Sequence, residues 1–243
     1  MHIQPVKTDI FQEGDDLFNF IAKYLKKIPE HSVIAVTSKI AALSERRTII
    51  AENIYIKEKT IHAESDFAIP SKEVWLTIKD GMFMASAGID ESNANGKLIL
   101  LPKDSFKTAR ELRKKLQHKY GVKRLGVLIT DSHTAPMRKG VTGIALGYAG
   151  FCGIKDYRGL RDIFGRKFKF SQVNIADSLA VAAVLVMGEG NEQYPLSIIK
   201  EAPVEFCDKI NREELRIDIK DDMYYPLFSN IIETNKARKQ IKK

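Results

Sequence analysis

Residues 125–140 read LGVLITDSHTAPMRKG, an apolar run that ends abruptly in an acid and a hydroxyl and is followed by two cations. The apolar part, up to Thr130, has the length and β-branched content of a buried strand. Asp131 and Ser132 end it, and Arg138 and Lys139 follow within the next loop. Two interpretations remain open at this point: a surface loop, or a strand that carries ligands to a metal and phosphate site.

The segment before this strand predicts a capped helix. It reads DSFKTARELRKKLQHKYG, with Asp104 or Ser105 as the opening residue and Gly121 as the closing one. The apolar residues of the segment recur at helical spacing, which predicts one buried stripe: Phe106, Ala109, Leu112, Leu116 and Tyr120.

The rest of the chain alternates between helix and strand patterns. Asp15 or Asp16 is expected to cap an amphipathic helix with the apolar face Leu17, Phe20, Ile21, Tyr24, Leu25 and Ile28. Residues 33–37 predict a strand, residues 74–88 a hairpin turning at Asp80-Gly81, and residues 168–174 a strand leading to an apolar helix that ends at Gly188. This alternation predicts a mixed α/β or α+β domain rather than a solenoid or an all-β sandwich.

Composition narrows the class of protein. The chain has 243 residues, of which 44% are hydrophobic and 29% charged, as in ordinary globular proteins. It contains no run of ~18 apolar residues and no basic-then-apolar N-terminal layout, so we expect no membrane span and a cytoplasmic location. Cys152 and Cys207 are far apart in sequence, which predicts no disulfide framework and fits a reducing compartment.

The net charge of +8 leaves three interpretations open: solvated lysines, a phosphate-rich ligand or a nucleic acid. Part of the charge lies in the C-terminal segment NKARKQIKK, which has the composition of a basic tail. Nucleic acid is the weakest of the three, because no stripe of interleaved basic and aromatic residues supports it.

Three acidic positions lie at the ends of predicted elements, beside glycines or hydroxyls. They are Asp90 in SAGIDESNANG, Asp131 followed by Ser132, and Glu189 in MGEGNEQ. Carboxylate and hydroxyl oxygens suit Mg²⁺, and small neighbours let backbone N–H groups approach a phosphate. Each position alone is typical of ordinary turn chemistry. The sequence does not reveal whether the three converge.

Other common sites have no support in the sequence. The chain has no GxxxxGK[ST] loop, no GxGxxG after a strand, no GxSxG elbow and no zinc-binding spacing of His and Cys. His133 fits either an exposed loop residue or a phosphate contact and acid/base group. Ser132 has no identifiable base beside it, which favours a metal ligand over a nucleophile.

Four segments in this order resemble the coenzyme F420-0:L-glutamate ligase family. They are AGIDESN (87–93), ITDS (129–132), GLRDIFGR (159–166) and MGEG (187–190), supported by EGDDL (13–17) and by VTS ending at Ser38. The resemblance covers residues 1–200 and implies a ligase-like domain with mixed and antiparallel sheets, flanking helices and an intertwined homodimer. Residues 201–243 are then a C-terminal extension with the basic tail.

The resemblance implies an amide ligase that depends on GTP and divalent cations. GTP would phosphorylate a carboxylate on a phosphorylated acceptor, and the amine of L-glutamate would displace phosphate from the acyl phosphate. Mg²⁺ or Mn²⁺ at two sites, with K⁺ as a further cation, would offset the charge on the transferred group.

Residue by residue, the resemblance implies that Asp90 and Asp131 hold the first metal and that Ser132 and Glu189 hold the second. The three acids would be the catalytic set, and Arg138 would contact phosphate. The nucleotide contacts would come from these residues: Thr8, Asp9, Ile10, Phe11, Ser38, Asn93 and the loop 187–194, including Met187, Gly188, Gly190 and Asn191.

The chain departs from the family pattern at two places. Ala42 and Leu43 stand where the family has a Ser-Lys pair, and Lys39 is expected to point away from the site if its segment is helical. Thr134 and Ala135 stand where the family has Gly-Arg. Alternatives therefore stay open: a ligase with another acceptor or with ATP, or a non-catalytic nucleotide or phospho-ligand binder.

Overall fold

A computed structural model describes residues 1–227 and residue 229 of the chain. The predicted basic tail lies outside these described residues. The strands are β1 (His2–Val6), β2 (Ser32–Thr37), β3 (Thr48–Ile49), β4 (Phe67–Pro70), β5 (Trp75–Lys79), β6 (Met82–Ala85), β7 (Leu98–Ile99), β8 (Leu125–His133), β9 (Thr142–Ala149), β10 (Ile154–Asp156), β11 (Gln172–Asn174) and β12 (Leu196–Lys200). The helices are α1 (Leu17–Tyr24), α2 (Ser38–Ser44), α3 (Ile54–Glu64), α4 (Ser105–Tyr120) and α5 (Ile175–Met187).

The central feature is a five-stranded mixed sheet in the order β1-β12-β2-β8-β9. Strands β2 and β8 are parallel, with Thr37 opposite Thr130, and the other pairs are antiparallel. Smaller antiparallel sheets comprise β4-β5-β6, β3-β7 and β10-β11. The predicted mixed α/β fold class is confirmed.

Helices cover both faces of the central sheet. On one face α1, α2 and α4 pack over Ile34, Val36, Val127 and Ile129. On the other face α5 packs over residues of alternating position in the same strands, namely Val33, Ala35 and Leu128. Because β2 and β8 bury both faces, they read as continuous apolar runs in the sequence.

Two glycines on β9 set how closely the helices approach the sheet edge. A Cβ atom at Gly143 would lie 2.2 Å from the carbonyl oxygen of Ala180 in α5. At Gly147 it would lie 2.5 Å from the backbone nitrogen of Phe106 in α4. Larger residues would therefore push either helix away from the strand.

Most predicted elements are present, with differences at their ends. Asp16 caps α1 by accepting from the backbone N–H of Asn19, and Asp104 caps α4 in the same way from Lys107. The hairpin turns at Asp80-Gly81, and Gly121 and Gly188 close their helices as predicted. The first helix, however, ends at Tyr24 rather than continuing to Ile28, because Leu25 adopts an extended backbone. Likewise the strand predicted over residues 168–174 is limited to β11.

The segment after β12 packs back onto the domain. Ala202, Val204, Phe206, Ile210 and Leu215 lie against the core on the α5 face of the sheet. The Oε1 atom of Glu214 accepts hydrogen bonds from the hydroxyl of the fully buried Tyr148 (2.5 Å) and from the backbone N–H of Gly153 (2.8 Å). Residues 202–215 therefore complete the apolar core on the α5 face of the sheet, which we call the second core.

The described helices do not include a membrane span. Among residues 1–227 they all fall short of the length and hydropathy that a bilayer crossing requires.

Candidate functional site

The parallel pair β2-β8 brings two of the predicted residues together at one edge of the sheet. Ser38 directly follows β2, and Asp131 lies one residue beyond the Thr37–Thr130 pair on β8. The Ser38 hydroxyl donates a hydrogen bond to Oδ1 of Asp131 at 3.1 Å. The carboxyl ends of parallel strands are where open α/β sheets place their ligands.

A tight loop presents Asp90 to the same edge. The loop begins with Ser86 and Ala87 at positive φ and is held by reciprocal backbone hydrogen bonds between Asp90 and Ile99. The Asp90 carboxylate accepts from the backbone N–H of Ser92 at 2.6 Å and from its hydroxyl at 3.1 Å. These local bonds fix the direction of the carboxylate.

Lys39, in the first turn of α2, reaches into this loop. Its Nζ lies 2.8 Å from Oδ2 of Asp90 and donates to the carbonyl oxygen of Ser92 at 2.8 Å. The expectation that Lys39 points away from the site is therefore wrong. The segment is helical, as supposed, but its first turn starts at the site edge of the sheet and projects the side chain across it.

Glu189 is the third acid, and it follows the C-terminus of α5. Gly188 turns the chain there with φ 81°, a conformation that favours glycine. The Ser132 side chain lies close enough to Glu189 to lower the pKa of that carboxyl against the larger effect of burial, and the charges of Asp90 and Glu189 both act on Asp131. Asp90, Asp131, Ser132 and Glu189 thus meet at one place, which we call the acidic site.

The acids of this site differ in their proton affinity. Burial raises the pKa of Asp131 to about 7, and the neighbouring charges of Asp90 and Glu189 add to the effect against hydrogen bonds from Ser132 and Ser38. Burial also raises the pKa of Glu189. Burial acts in the same sense on Asp90, but the hydrogen bond from Lys39 and those from Ser92 outweigh it and hold the pKa of Asp90 below its usual value.

The donor set of the acidic site fits a hard divalent cation. Three carboxylates and a hydroxyl are the oxygen ligands that Mg²⁺ and Mn²⁺ prefer. Within residues 1–227 and 229, no three carboxylate, imidazole or thiol groups are already gathered tightly enough to hold an ion. The Lys39 ammonium instead supplies the positive charge beside Asp90. The negative charges of Asp90 and Glu189, which a cation would offset, add to the larger effect of burial on the pKa of Asp131.

The loop 187–194 lies beside the acidic site and is joined to two other segments named above. The side-chain amide of Asn93 donates to the carbonyl oxygen of Gly190 at 3.0 Å. The backbone N–H of Thr8 donates to the carbonyl oxygen of Gln193 at 3.1 Å. The segments predicted to contact nucleotide at residues 8–11, 93 and 187–194 are therefore neighbours in space.

Individual side chains of these segments differ in what they can contact. Ile10 is exposed and Asn191 lies on an exposed turn, whereas Phe11 and Met187 are buried in the core. The Asp9 carboxylate is held by Lys23 and Tyr24. Phe11 and Met187 therefore position the backbone and do not offer their side chains to a ligand.

His133 and Arg138 follow Asp131 in the sequence. Arg138 is exposed in the loop between β8 and β9, and within the described residues its side chain forms no ion pair with an acid. His133 ends β8 half-buried, and burial lowers its pKa against the attraction of Asp177. Arg138 is thus available to a bound anion, while His133 tends to the neutral form.

Comparison with known proteins decides the family. The profile of the F420-0:Gamma-glutamyl ligase family matches residues 5–201. The chain belongs to this family. A protein named coenzyme F420:L-glutamate ligase from Methanococcus maripaludis is 34% identical over 222 residues, which is 84% of this chain and 88% of the relative. One of the same name from Methanopyrus kandleri is 35% identical over 220 residues, or 82% and 86% of the two chains.

The ligase-family pattern gives meaning to the substituted positions. Ala42 is buried and Leu43 partly buried against Ala94 and Ile99, so neither offers a cation to the site. Lys39 precedes Leu43 by one turn on the same face of α2. In this chain, Lys39 is therefore the residue through which α2 presents a positive charge to the acidic site.

Sequence reasoning missed Lys39 and Ser92. A usable signal existed for Lys39, because a residue just past the end of a parallel strand lies at the edge where ligands bind. For Ser92 the Asp-x-Ser spacing indicates a side chain that bonds back to the preceding acid.

Proposed function

We propose that this protein is a nucleotide- and divalent-cation-dependent ligase that joins L-glutamate to a carboxylate of a phosphorylated acceptor of the coenzyme F420 type. The observation that carries the proposal is the convergence of Asp90, Asp131, Ser132 and Glu189 at the carboxyl edge of β2 and β8. The names of the relatives from Methanococcus maripaludis and Methanopyrus kandleri support the choice of glutamate and acceptor.

The reaction transfers a phosphoryl group and then forms an amide. A carboxylate oxygen of the acceptor attacks the γ-phosphorus of the nucleoside triphosphate, and the diphosphate leaves. The amine of glutamate, after losing a proton, attacks the acyl carbon, and inorganic phosphate departs with the original carboxylate oxygen. Both steps gather negative charge around the transferred group, so positioning and charge compensation supply most of the catalysis.

The proposed roles are those that the family resemblance implies, and the proximity of the residues supports them. Asp90 and Asp131 would hold one divalent cation, and Ser132 and Glu189 a second one; such ions would neutralise the phosphate oxygens. Lys39, fixed beside Asp90, is placed to donate to a phosphate oxygen once a cation takes over its partner. Arg138 offers a second cationic contact from the exposed loop.

The loop 187–194 is suited to hold the nucleotide. Gly190 carries no side chain that would keep a phosphate away from its backbone N–H group, whereas the N–H of Gly188 is used by the last turn of α5, where it donates to the carbonyl oxygen of Val184. The Glu192 carboxylate now accepts from the N–H of Gly190 at 2.8 Å, and a Cβ at Gly188 would clash with it. A phosphate that binds this N–H would therefore displace Glu192.

The acceptor is where the chain departs most from its family. Thr134 is exposed and Ala135 partly so, and neither supplies the charge of the Gly-Arg pair found in the family. Losing a charge-assisted hydrogen bond to phosphate costs about 1.5–3 kcal/mol. A second candidate, favoured by this observation, is therefore a glutamyl ligase whose acceptor differs from coenzyme F420-0.

A homodimer is also part of the proposal. The arm formed by residues 154–174 exposes Ile163, Phe164 and Phe170, each about nine-tenths accessible. Apolar side chains this exposed on a two-stranded arm suit burial against a second copy of the chain. The mass in solution by light scattering tests this, and a monomer at micromolar concentration would refute it.

The proposed function is tested with purified protein, Mg²⁺ or Mn²⁺, glutamate, GTP or ATP, and coenzyme F420-0. The expected result is nucleoside diphosphate release that requires both glutamate and the acceptor, with a product heavier by one glutamyl residue. Diphosphate release with a different carboxylate acceptor would favour the second candidate. Nucleotide binding without diphosphate release for any acceptor would refute the ligase.

A further inference from the structure

The two cysteines of the chain, 55 residues apart in sequence, lie side by side in the fold. Their Sγ atoms are 3.2 Å apart. Cys152 follows the end of β9, at the base of the arm, and Cys207 lies in the segment after β12. Nothing in their sequence separation indicates this contact.

Two backbone hydrogen bonds join the segments that carry the cysteines. The N–H of Cys152 donates to the carbonyl oxygen of Glu205 at 2.9 Å, and the N–H of Cys207 donates to that of Gly150 at 3.1 Å. These two bonds set Cys152 opposite Glu205 and Cys207 opposite Gly150, so the two cysteines are diagonal neighbours on one face of a short antiparallel pairing, where side chains can still touch.

Packing on both sides of the pair limits its movement. Phe206 packs into the second core, and Glu214 binds Tyr148 and Gly153 with one carboxylate oxygen. The sulfur atoms need to approach by roughly 1 Å to reach the length of a disulfide bond.

We propose that Cys152 and Cys207 form an intramolecular disulfide that fastens residues 202–216 to the end of β9 and the base of the arm. Formation removes one proton and one electron from each thiol. With a low-molecular-weight disulfide as oxidant, the thiolate of one cysteine attacks a sulfur of the oxidant, so that one small thiol leaves and a mixed disulfide forms. The other cysteine then attacks the mixed disulfide and displaces the second small thiol. Two thiols are thus released for each bond formed.

The environment of the pair affects the rate at which the bond forms, and the loop that the bond closes determines its effect on stability. Burial and the neighbouring Cys152 raise the pKa of Cys207 to about 12, so its thiolate is scarce at neutral pH. Formation of the bond by exchange is therefore slow at neutral pH. The bond closes a long loop, and loops of this length give a large stabilisation when they are closed covalently.

The disulfide is remote from the acidic site. Gly150 abuts Leu125 at the start of β8, whereas Asp131 lies six residues further along that strand, roughly 20 Å away. Oxidation is therefore expected to change stability and leave Mn²⁺ binding unchanged. The inference does not depend on the proposed ligase activity.

The test compares the full chain after incubation with oxidised glutathione and after reduction with dithiothreitol. The oxidised protein should lose two hydrogens in intact mass, show no titratable thiol when denatured and melt roughly 10 °C higher than the reduced protein. The variants Cys152→Ser and Cys207→Ser should melt at the same temperature with and without reductant.

Three results would overturn the proposal. They are two free thiols after oxidation, a disulfide that links separate chains on a non-reducing gel, or a melting temperature that does not change on reduction. If a serine variant does not fold, the mass and thiol measurements on the natural chain still decide the matter.

Discussion

The Nζ atom of Lys39 lies 2.8 Å from Oδ2 of Asp90, so a lysine carries the positive charge beside a carboxylate of the acidic site. Replacing Lys39 by methionine keeps the length of the side chain. The change removes the ammonium group that competes with an incoming cation for Asp90 and that repels this cation. We expect Lys39→Met to bind Mn²⁺ about tenfold more tightly without nucleotide, and to raise the KM for nucleotide about tenfold.

Lys57→Met is the matched control, because Lys57 pairs with Glu91, the neighbour of Asp90, outside the acidic site. Calorimetric titration with Mn²⁺ and steady-state kinetics separate the two effects. Weaker Mn²⁺ binding in Lys39→Met would show that Lys39 orients Asp90 for the ion rather than competing with it.

Asp131→Asn should abolish the activity while the fold persists. The amide retains a similar shape but loses the negative charge that a divalent cation needs, so turnover should fall by about 10³-fold and Mn²⁺ affinity by at least about tenfold. Diphosphate release and Mn²⁺ titration measure these effects. Glu111→Gln, on the exposed face of α4, controls for loss of a carboxylate. A rate within twofold of the natural chain would remove Asp131 from the proposed metal site.

The same residue predicts how stability depends on pH without a divalent cation. Burial raises the pKa of Asp131 to about 7, above the value of about 3.9 expected in the unfolded chain. The folded form therefore holds the proton more tightly, and this contribution is complete below pH 4 and lost as the pH rises towards 7.

Asp131→Asn lacks this titration, so only the natural chain loses this contribution as the pH rises. The melting temperature of the variant relative to that of the natural chain should therefore rise by about 5 °C between pH 4.5 and pH 8. Adding Mn²⁺ at pH 8 should reverse the order, since the ion stabilises only the natural chain. A difference that stays constant with pH would mean that Asp131 titrates normally.

The bond between Asn93 and Gly190 joins two loops of the candidate nucleotide site. Asn93→Asp keeps the shape and the left-handed backbone but replaces the donor by an acceptor that faces the carbonyl oxygen of Gly190. We expect the KM for nucleotide to rise about tenfold with kcat changed less than threefold. Asn95→Asp is the control, because Asn95 has a similar φ and is exposed. Equal kinetics for the two variants would exclude this role.

Tyr148 and Glu214 test whether the segment after β12 is part of the fold. Tyr148→Phe removes the donor to Glu214 and leaves the carboxylate with the N–H of Gly153. The free energy of unfolding should fall by about 1–3 kcal/mol, which lowers the melting temperature by several degrees. Tyr55→Phe, at an exposed position, should leave it within about 1 °C. A matching small change in both variants would show that the Glu214 contact contributes nothing.

Local signals in the sequence were sufficient for much of the secondary structure. The caps Asp16 and Asp104 and the closing Gly121 act within a few residues, and the turn at Asp80-Gly81 is equally local. The end of α1 escaped prediction because Leu25 and Ile28 remain buried after the helix has stopped, so the apolar periodicity runs beyond it.

The assembly of the site depended on information that the local sequence does not hold. Asp90, Asp131 and Glu189 were each recognisable at an element end, but their convergence depends on long-range contacts that bring the loop after β6 and the end of α5 to the edge of β8. The family resemblance supplied that convergence as an expectation. The contact between Cys152 and Cys207 had no such support, because it arises from a backbone pairing between segments 55 residues apart.

The position of β12 has a consequence for how the chain acquires its structure. Among the described residues it is the last strand to be synthesised, yet it lies between β1 and β2, and it pairs with both along its whole length. Strand β1 has β12 as its neighbour in the described sheet, so it is paired only after residues 196–200 have been synthesised. We expect a slow, high-contact-order final step of folding, in which the sheet and the acidic site form together.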